Sequence, residues 1–119
     1  MAAVTLVIPI LPGKLEPWRR FCQALQGSRR CQYDEFLDRL GVTRGQVWLH
    51  HPFEMLQRAV VIVNLEAEQP SGMLTNLATS HLPFDRWFRQ QVLEFHGLDV
   101  TQPLAVSASE LIFAWQTSS

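Results

Sequence analysis

Along the chain, short apolar runs give way to stretches in which apolar residues return every three or four positions, and these two periods mark out the elements. Val4 to Ile10 reads as a strand apolar on both faces, with Val4, Leu6, Ile8 and Ile10 alternating with Thr5, Val7 and Pro9. Proline has no N–H to give a ladder, so Pro9 places the end of this strand at a sheet edge or bulge. After the Pro12-Gly13 turn, Leu15, Trp18, Cys22 and Leu25 recur at helical spacing, with Arg19, Arg20 and Gln23 on the other side. Gly27-Ser28 weakens that helix, and Tyr33, Phe36, Leu37 and Leu40 restart the period. Glu35 and Arg39 stand at i, i+4, and Gly41 supplies a stop. Lys14 to Leu40 is therefore one long kinked helix or two stacked ones.

Gln46 to His51 is a second short strand, and Arg58 to Ala67, with its run of β-branched residues, is the strongest in the chain. Pro52 to Gln57 joins the two as a hairpin. A short helix is predicted over Ser71 to Thr79, with Met73, Leu74 and Leu77 on one side. Pro83 opens another, with Asp85 in the first turn, where negative charge suits the dipole. It carries Phe84, Trp87, Phe88, Val92 and Phe95 and stops at Gly97. Beyond the loose segment Gly97 to Ala108, Glu110 to Gln116 reads as a last strand.

The resulting order, β-α-β-β-α-β with a split second α region, predicts an α+β ferredoxin-like fold: a four-stranded antiparallel sheet with its helices on one face. The third strand places Ala59, Val61, Val63 and Leu65 on one face but also Val60 and Ile62 on the other. A bare face that apolar would expose on the order of several hundred Å². The simplest cover is a second copy stacked sheet on sheet, since a two-fold contact is self-complementary.

Length and composition narrow the class. At 119 residues the chain has the size of a single domain, residues 1–119. With 47% hydrophobic residues and a net charge of -1, it is neither disordered nor, given ten basic against eleven acidic residues, built for nucleic acid. In a continuous helix Cys22 and Cys31 would lie about 13 Å apart, beyond the reach of about 7 Å that a disulfide allows. Free thiols point to the cytoplasm. The apolar run from Met1 to Leu11 has no basic residue before it and is broken by Pro9, unlike a signal peptide, and no run is long enough to cross a membrane.

At the level of element order the chain resembles the dimeric α/β-barrel superfamily, in which two ferredoxin-like chains pack their sheets into a shared barrel. The residues that carry the likeness are a first strand running into Pro12-Gly13-Lys14, Trp18 opening the first helix, the hairpin, and Ser80-x3-Phe84-x2-Trp87-Phe88. Antibiotic-biosynthesis monooxygenase-like and stress-responsive barrel proteins are the nearest characterised members. The likeness implies a homodimer, with a pocket between the sheet and helices of each protomer. Haem-degrading members use an Asn, a Trp and a His in that order, the Asn on the first strand. This first strand has no Asn, so those roles do not transfer to Asn64, Trp87 and His96.

Six residues are the pocket candidates. Relative to Phe84, Phe88 and Phe95 lie at about +40° and +20° around the last helix, and Gln91 at about -20°, which sets an amide within the apolar stripe. It either lines a pocket or bonds a backbone group at a seam. Asn64 is the strongly polar residue inside the third strand's apolar run and needs a partner. Trp115 of the last strand joins Trp48 and Trp87 as residues placed to surround one cavity, and His50 ends the second strand. His96 closes the last helix, where an imidazolium cation would suit the dipole. Metal-ligand spacing and cofactor motifs are lacking, so neither a metal nor a cofactor is expected. Three functions fit. One is binding of a hydrophobic or aromatic metabolite between sheet and helices. Another is cofactor-independent monooxygenation of a phenol or quinol, with Asn64, Trp87 and Gln91 orienting it. The third is a ligand-free interaction module.

Overall fold

The computed structural model describes residues 2–51, 58–102 and 110–117. Its elements are β1 (Ala2–Pro9), α1 (Leu15–Gln26), α2 (Arg30–Arg39), β2 (Val42–His50), β3 (Val60–Ala67), α3 (Pro70–Thr79) and α4 (Pro83–His96). The strands form one antiparallel sheet in the order β1-β3-β2. The chain is α+β, but the expected four-stranded ferredoxin-like sheet is corrected to three strands. Glu110 to Gln116, read above as the last strand, has no regular structure. Its Leu111, Ile112, Phe113 and Trp115 are 78%, 78%, 81% and 80% exposed. Propensity alone does not make a strand; a ladder partner does, and this segment has none here. A barrel built from two four-stranded sheets loses its premise with it.

The smaller differences have local causes. Gly27 and Arg29 both donate to the Ala24 carbonyl, at 3.2 and 2.8 Å, which ends α1 and resolves the long helical stretch into two helices. β2 starts four residues before the predicted Gln46, because pairing with β3 holds Thr43, Arg44 and Gly45 extended through an irregularity between Val42 and Arg44. β1 runs Ala2–Pro9 where Val4 to Ile10 was expected, and β3 begins at Val60, not Arg58. Gly41 and Gly97 take φ of 75° and 70°, the left-handed conformation that stops α2 and α4. Arg39 does not pair with Glu35 but reaches across to Asp85 on α4. Asp85 is 2% exposed and also accepts from the Ser80 hydroxyl at 2.6 Å, so it ties α2 to the start of α4. The Pro52 to Gln57 hairpin and most of the end of the loose segment lie outside the described residues.

Register divides the sheet into two faces. Leu6, Val63 and Val47 stand side by side, as do Ile8, Val61 and Leu49, on the face toward the helices. One residue along, Thr5, Asn64 and Gln46, then Val7, Ile62 and Trp48, form rows on the other. Among the described residues, helical side chains pack on the first face, in two clusters. One joins Leu25, Phe36, Leu40, Ala67, Met73, Leu77 and Phe84; the other joins Ile10, Trp18, Val61 and Phe95.

Candidate functional site

Between the inner face of the sheet and the helices lies a cavity of about 480 Å³ that touches both clusters. Its sheet side is formed by Leu6, Ile8, Val61, Val63 and Leu65, and its helix side by the ring-bearing residues Trp18, Phe21, Tyr33, Phe36 and Phe88. The space follows from the sequence. α1 and α2 present large rings at helical spacing, while the strands opposite present the aliphatic side chains of Leu6, Ile8, Val61, Val63 and Leu65. Gly45, Gln46 and Val47 of β2 stand at the rim, where Val47 is 51% exposed. Phe21 holds the aromatic wall together, its ring centroid 5.5, 5.6 and 5.3 Å from those of Trp87, Phe88 and Phe95.

Polar groups are few and uncharged. The cavity touches Cys22, Gln26, Tyr33, Gln46 and His96 but no Asp, Glu, Lys or Arg among the described residues. Burial pushes the Cys22 thiol up to about 11, with the Arg19 charge working the other way, so it is a protonated and unreactive thiol at neutral pH. Burial also raises the Tyr33 phenol, helped by the negative charges of Cys22 and Asp34 in their ionised forms, and keeps its hydroxyl as a donor. His96 is lowered by burial, against which the Pro9 carbonyl acts. A carbonyl oxygen can only accept, so His96 Nδ1 carries the proton and donates to Pro9 at 2.8 Å. The neutral ring then keeps Nε2 as an acceptor. This corrects the cationic helix cap expected from its position: burial outweighs the dipole.

Of the six pocket candidates, His96 alone lines the cavity. Trp48 and His50 stand on the outer face of β2, both exposed. Asn64 also faces outward, where its Oδ1 accepts from the Thr5 hydroxyl at 2.8 Å beside a cleft of about 240 Å³ that includes Arg44, Gln46 and Glu66. Trp87 lies behind the wall, packed on Phe21 and Phe84, with the Arg29 guanidinium 4.0 Å above its ring. Gln91 is half-buried on α4 and does not line the cavity. Asn64, Trp87 and Gln91 are thus not brought together. The residues that sequence reasoning passed over are Phe21, which the stripe of the first helix left out, and Tyr33, Phe36 and Phe88, which read as core from their helical spacing. For Phe21 the available signal was its place on the same side of α1 as Trp18 and Cys22. No described helix is long and apolar enough to cross a membrane. The chain matches no protein-family model and no curated protein.

Proposed function

We propose that this chain binds one small, neutral, aromatic or otherwise apolar molecule in the cavity between sheet and helices. The observation that carries the reading is a space of about 480 Å³ whose wall is mainly aromatic and aliphatic and, among the described residues, holds no charged side chain. Close-packed interiors leave few voids larger than a water, and ligand cavities of this kind span about 300 to 1,000 Å³ with a handful of polar groups for orientation. Here Gln26, Tyr33 and His96 are those groups: an amide, a phenol donor and an imidazole acceptor. A charged ligand would leave its hydration shell with no opposite charge to meet it, which is costly. The two free cysteines support a reducing compartment, the cytoplasm.

The test is a fluorescence titration with N-phenyl-1-naphthylamine and, in parallel, with its anionic relative 1-anilinonaphthalene-8-sulfonate. The neutral probe is expected to saturate at one site per chain and to bind about tenfold more tightly than the sulfonate. Val63→Phe, which fills the sheet side, should weaken the neutral probe by about tenfold or more while leaving far-UV circular dichroism unchanged. Equal affinity for the two probes, or binding indifferent to Val63→Phe, would overturn the proposal. Removing residues 110–119 controls for adsorption to the exposed tail.

A further inference from the structure

In an antiparallel pair, positions that exchange both backbone bonds alternate with positions that exchange none. Ile10 N donates to Ala59 O at 3.1 Å, so the bonded positions along β1 are Ile8, Leu6 and Val4. Val7, Thr5 and Ala3 therefore turn their N–H and C=O away from β3, to a side where no strand lies among the described residues. Pro9, next in that outward set, has no N–H, and its carbonyl is taken by His96. The open edge is thus Ala3 to Val7, whose outward donors and acceptors meet no backbone partner among the described residues. Native sheets blunt such edges with charge, bulges or proline. β2, the other edge, carries Arg44, His50 and a register irregularity. β1 between Ala3 and Ile8 has no charge and no irregularity.

The same chain carries an unpaired segment of matching character. Ile112, Phe113 and Trp115 are strong strand formers, Leu111 to Trp115 carries no charge, and its four large side chains are about four-fifths exposed. Its own tail leaves the β1 edge open. Two copies supply two tails and two edges, and a reciprocal exchange closes on a two-fold axis. Four such side chains bring about 500 Å² of surface per chain, so a double exchange reaches the order of 1,000 Å² that a specific interface needs. We infer that residues 111–115 of one copy add as a strand along Ala3 to Val7 of a second copy, each tail covering the other chain's open edge. This contact is independent of the cavity and of what the cavity holds.

Sedimentation of the full chain across concentrations should show a monomer–dimer equilibrium. Phe113→Asp should weaken it by about 100-fold without changing far-UV circular dichroism, because Phe113 is 81% exposed in its own chain. Location is read by mixing a Thr5→Cys chain with chains bearing Leu111→Cys, Phe113→Cys or Trp115→Cys, all in a Cys31→Ser background. A disulfide between the two chains is expected with at least one tail position. A monomer at every concentration would overturn the inference. So would a dimer untouched by Phe113→Asp, or a tail-dependent dimer in which no tail cysteine reaches Thr5→Cys in the other chain. Cross-linking only within one chain that carries both cysteines would show that the tail folds back on its own edge.

Discussion

On the inner face of the sheet, Leu6, Val61, Val63 and Leu65 meet four helices; one residue along the same strands, Thr5, Asn64 and Gln46 meet solvent. The outer face is not uniformly polar, since Val7 and Trp48 beyond that row are 43% and 55% exposed. Nor is the inner face uniformly filled, because it encloses about 480 Å³ of space. The difference teaches that apolar character does not predict packing. What separates the faces is which one receives the helical rings, and where those rings fall short of the strands a binding space remains.

Truncating an inner aromatic should give the largest effect. Phe36 is 2% exposed and its ring lies 5.3 and 4.7 Å from those of Phe84 and Phe88. Phe36→Ala is expected to cost about 3 to 5 kcal/mol in urea unfolding, the range for a buried aromatic. A loss under about 1 kcal/mol would mean that the wall relaxes into the cavity, and the two faces would then differ less than their burial suggests. Next comes the tie between α2 and α4. Asp85→Ala leaves Arg39 and Ser80 without their shared acceptor, and because Arg39 is half-exposed and can turn to water the cost should be about 2 kcal/mol.

The outer polar row offers a smaller, sharper test. Thr5 and Asn64 bond across two strands in a half-buried setting. A double-mutant cycle with Thr5→Val and Asn64→Leu should return a coupling of about 1 kcal/mol, while the double variant alone is closer to neutral, because both partners leave together. His96 adds a pH dependence of known sign. Its folded-state value is depressed by burial, so the unfolded chain binds more protons and stability rises with pH. The contribution is complete above the ordinary value of 6.5 and fades as pH falls from there through the lower folded value. Melting temperature from pH 8 down to 5 should fall less in His96→Gln than in the parent chain, and parallel curves would contradict this.

Much of the fold was legible because it is local. The i, i+3, i+4 stripe of Leu15, Trp18, Cys22 and Leu25, the glycines at 41 and 97, and the β-branched run of β3 each carry their own signal. The failures are all questions of partnership. Leu111 to Trp115 has every local property of a strand, yet pairing is decided by an edge a hundred residues away. Asn64 was rightly read as needing a partner, but a period of two only says that its side chain opposes that of Val63; it does not say which face the helices cover. Gln91 and Trp87 share the apolar side of α4 with Phe88, and whether a residue lines the cavity or stands behind its wall depends on where Phe21 of α1 inserts. A pocket between sheet and helices was expected only from the resemblance, and five of the six residues expected to line it stand elsewhere.

The smallest effect is expected where the outer face looks most like a core. Trp48 pairs in register with Ile62 on an edge strand and is 55% exposed, so its ring gains a cross-strand contact while leaving much of its surface in water. Trp48→Thr replaces one strand former with another and should change monomer stability by no more than about 0.5 kcal/mol, measured at a concentration below any self-association. Set against Phe36→Ala, that is a contrast of about sixfold or more between two aromatics of one small chain. A loss of more than about 2 kcal/mol from Trp48→Thr in the monomer would show that the outer face is packed by part of its own chain. The division between a covered and an open face would then have to be redrawn.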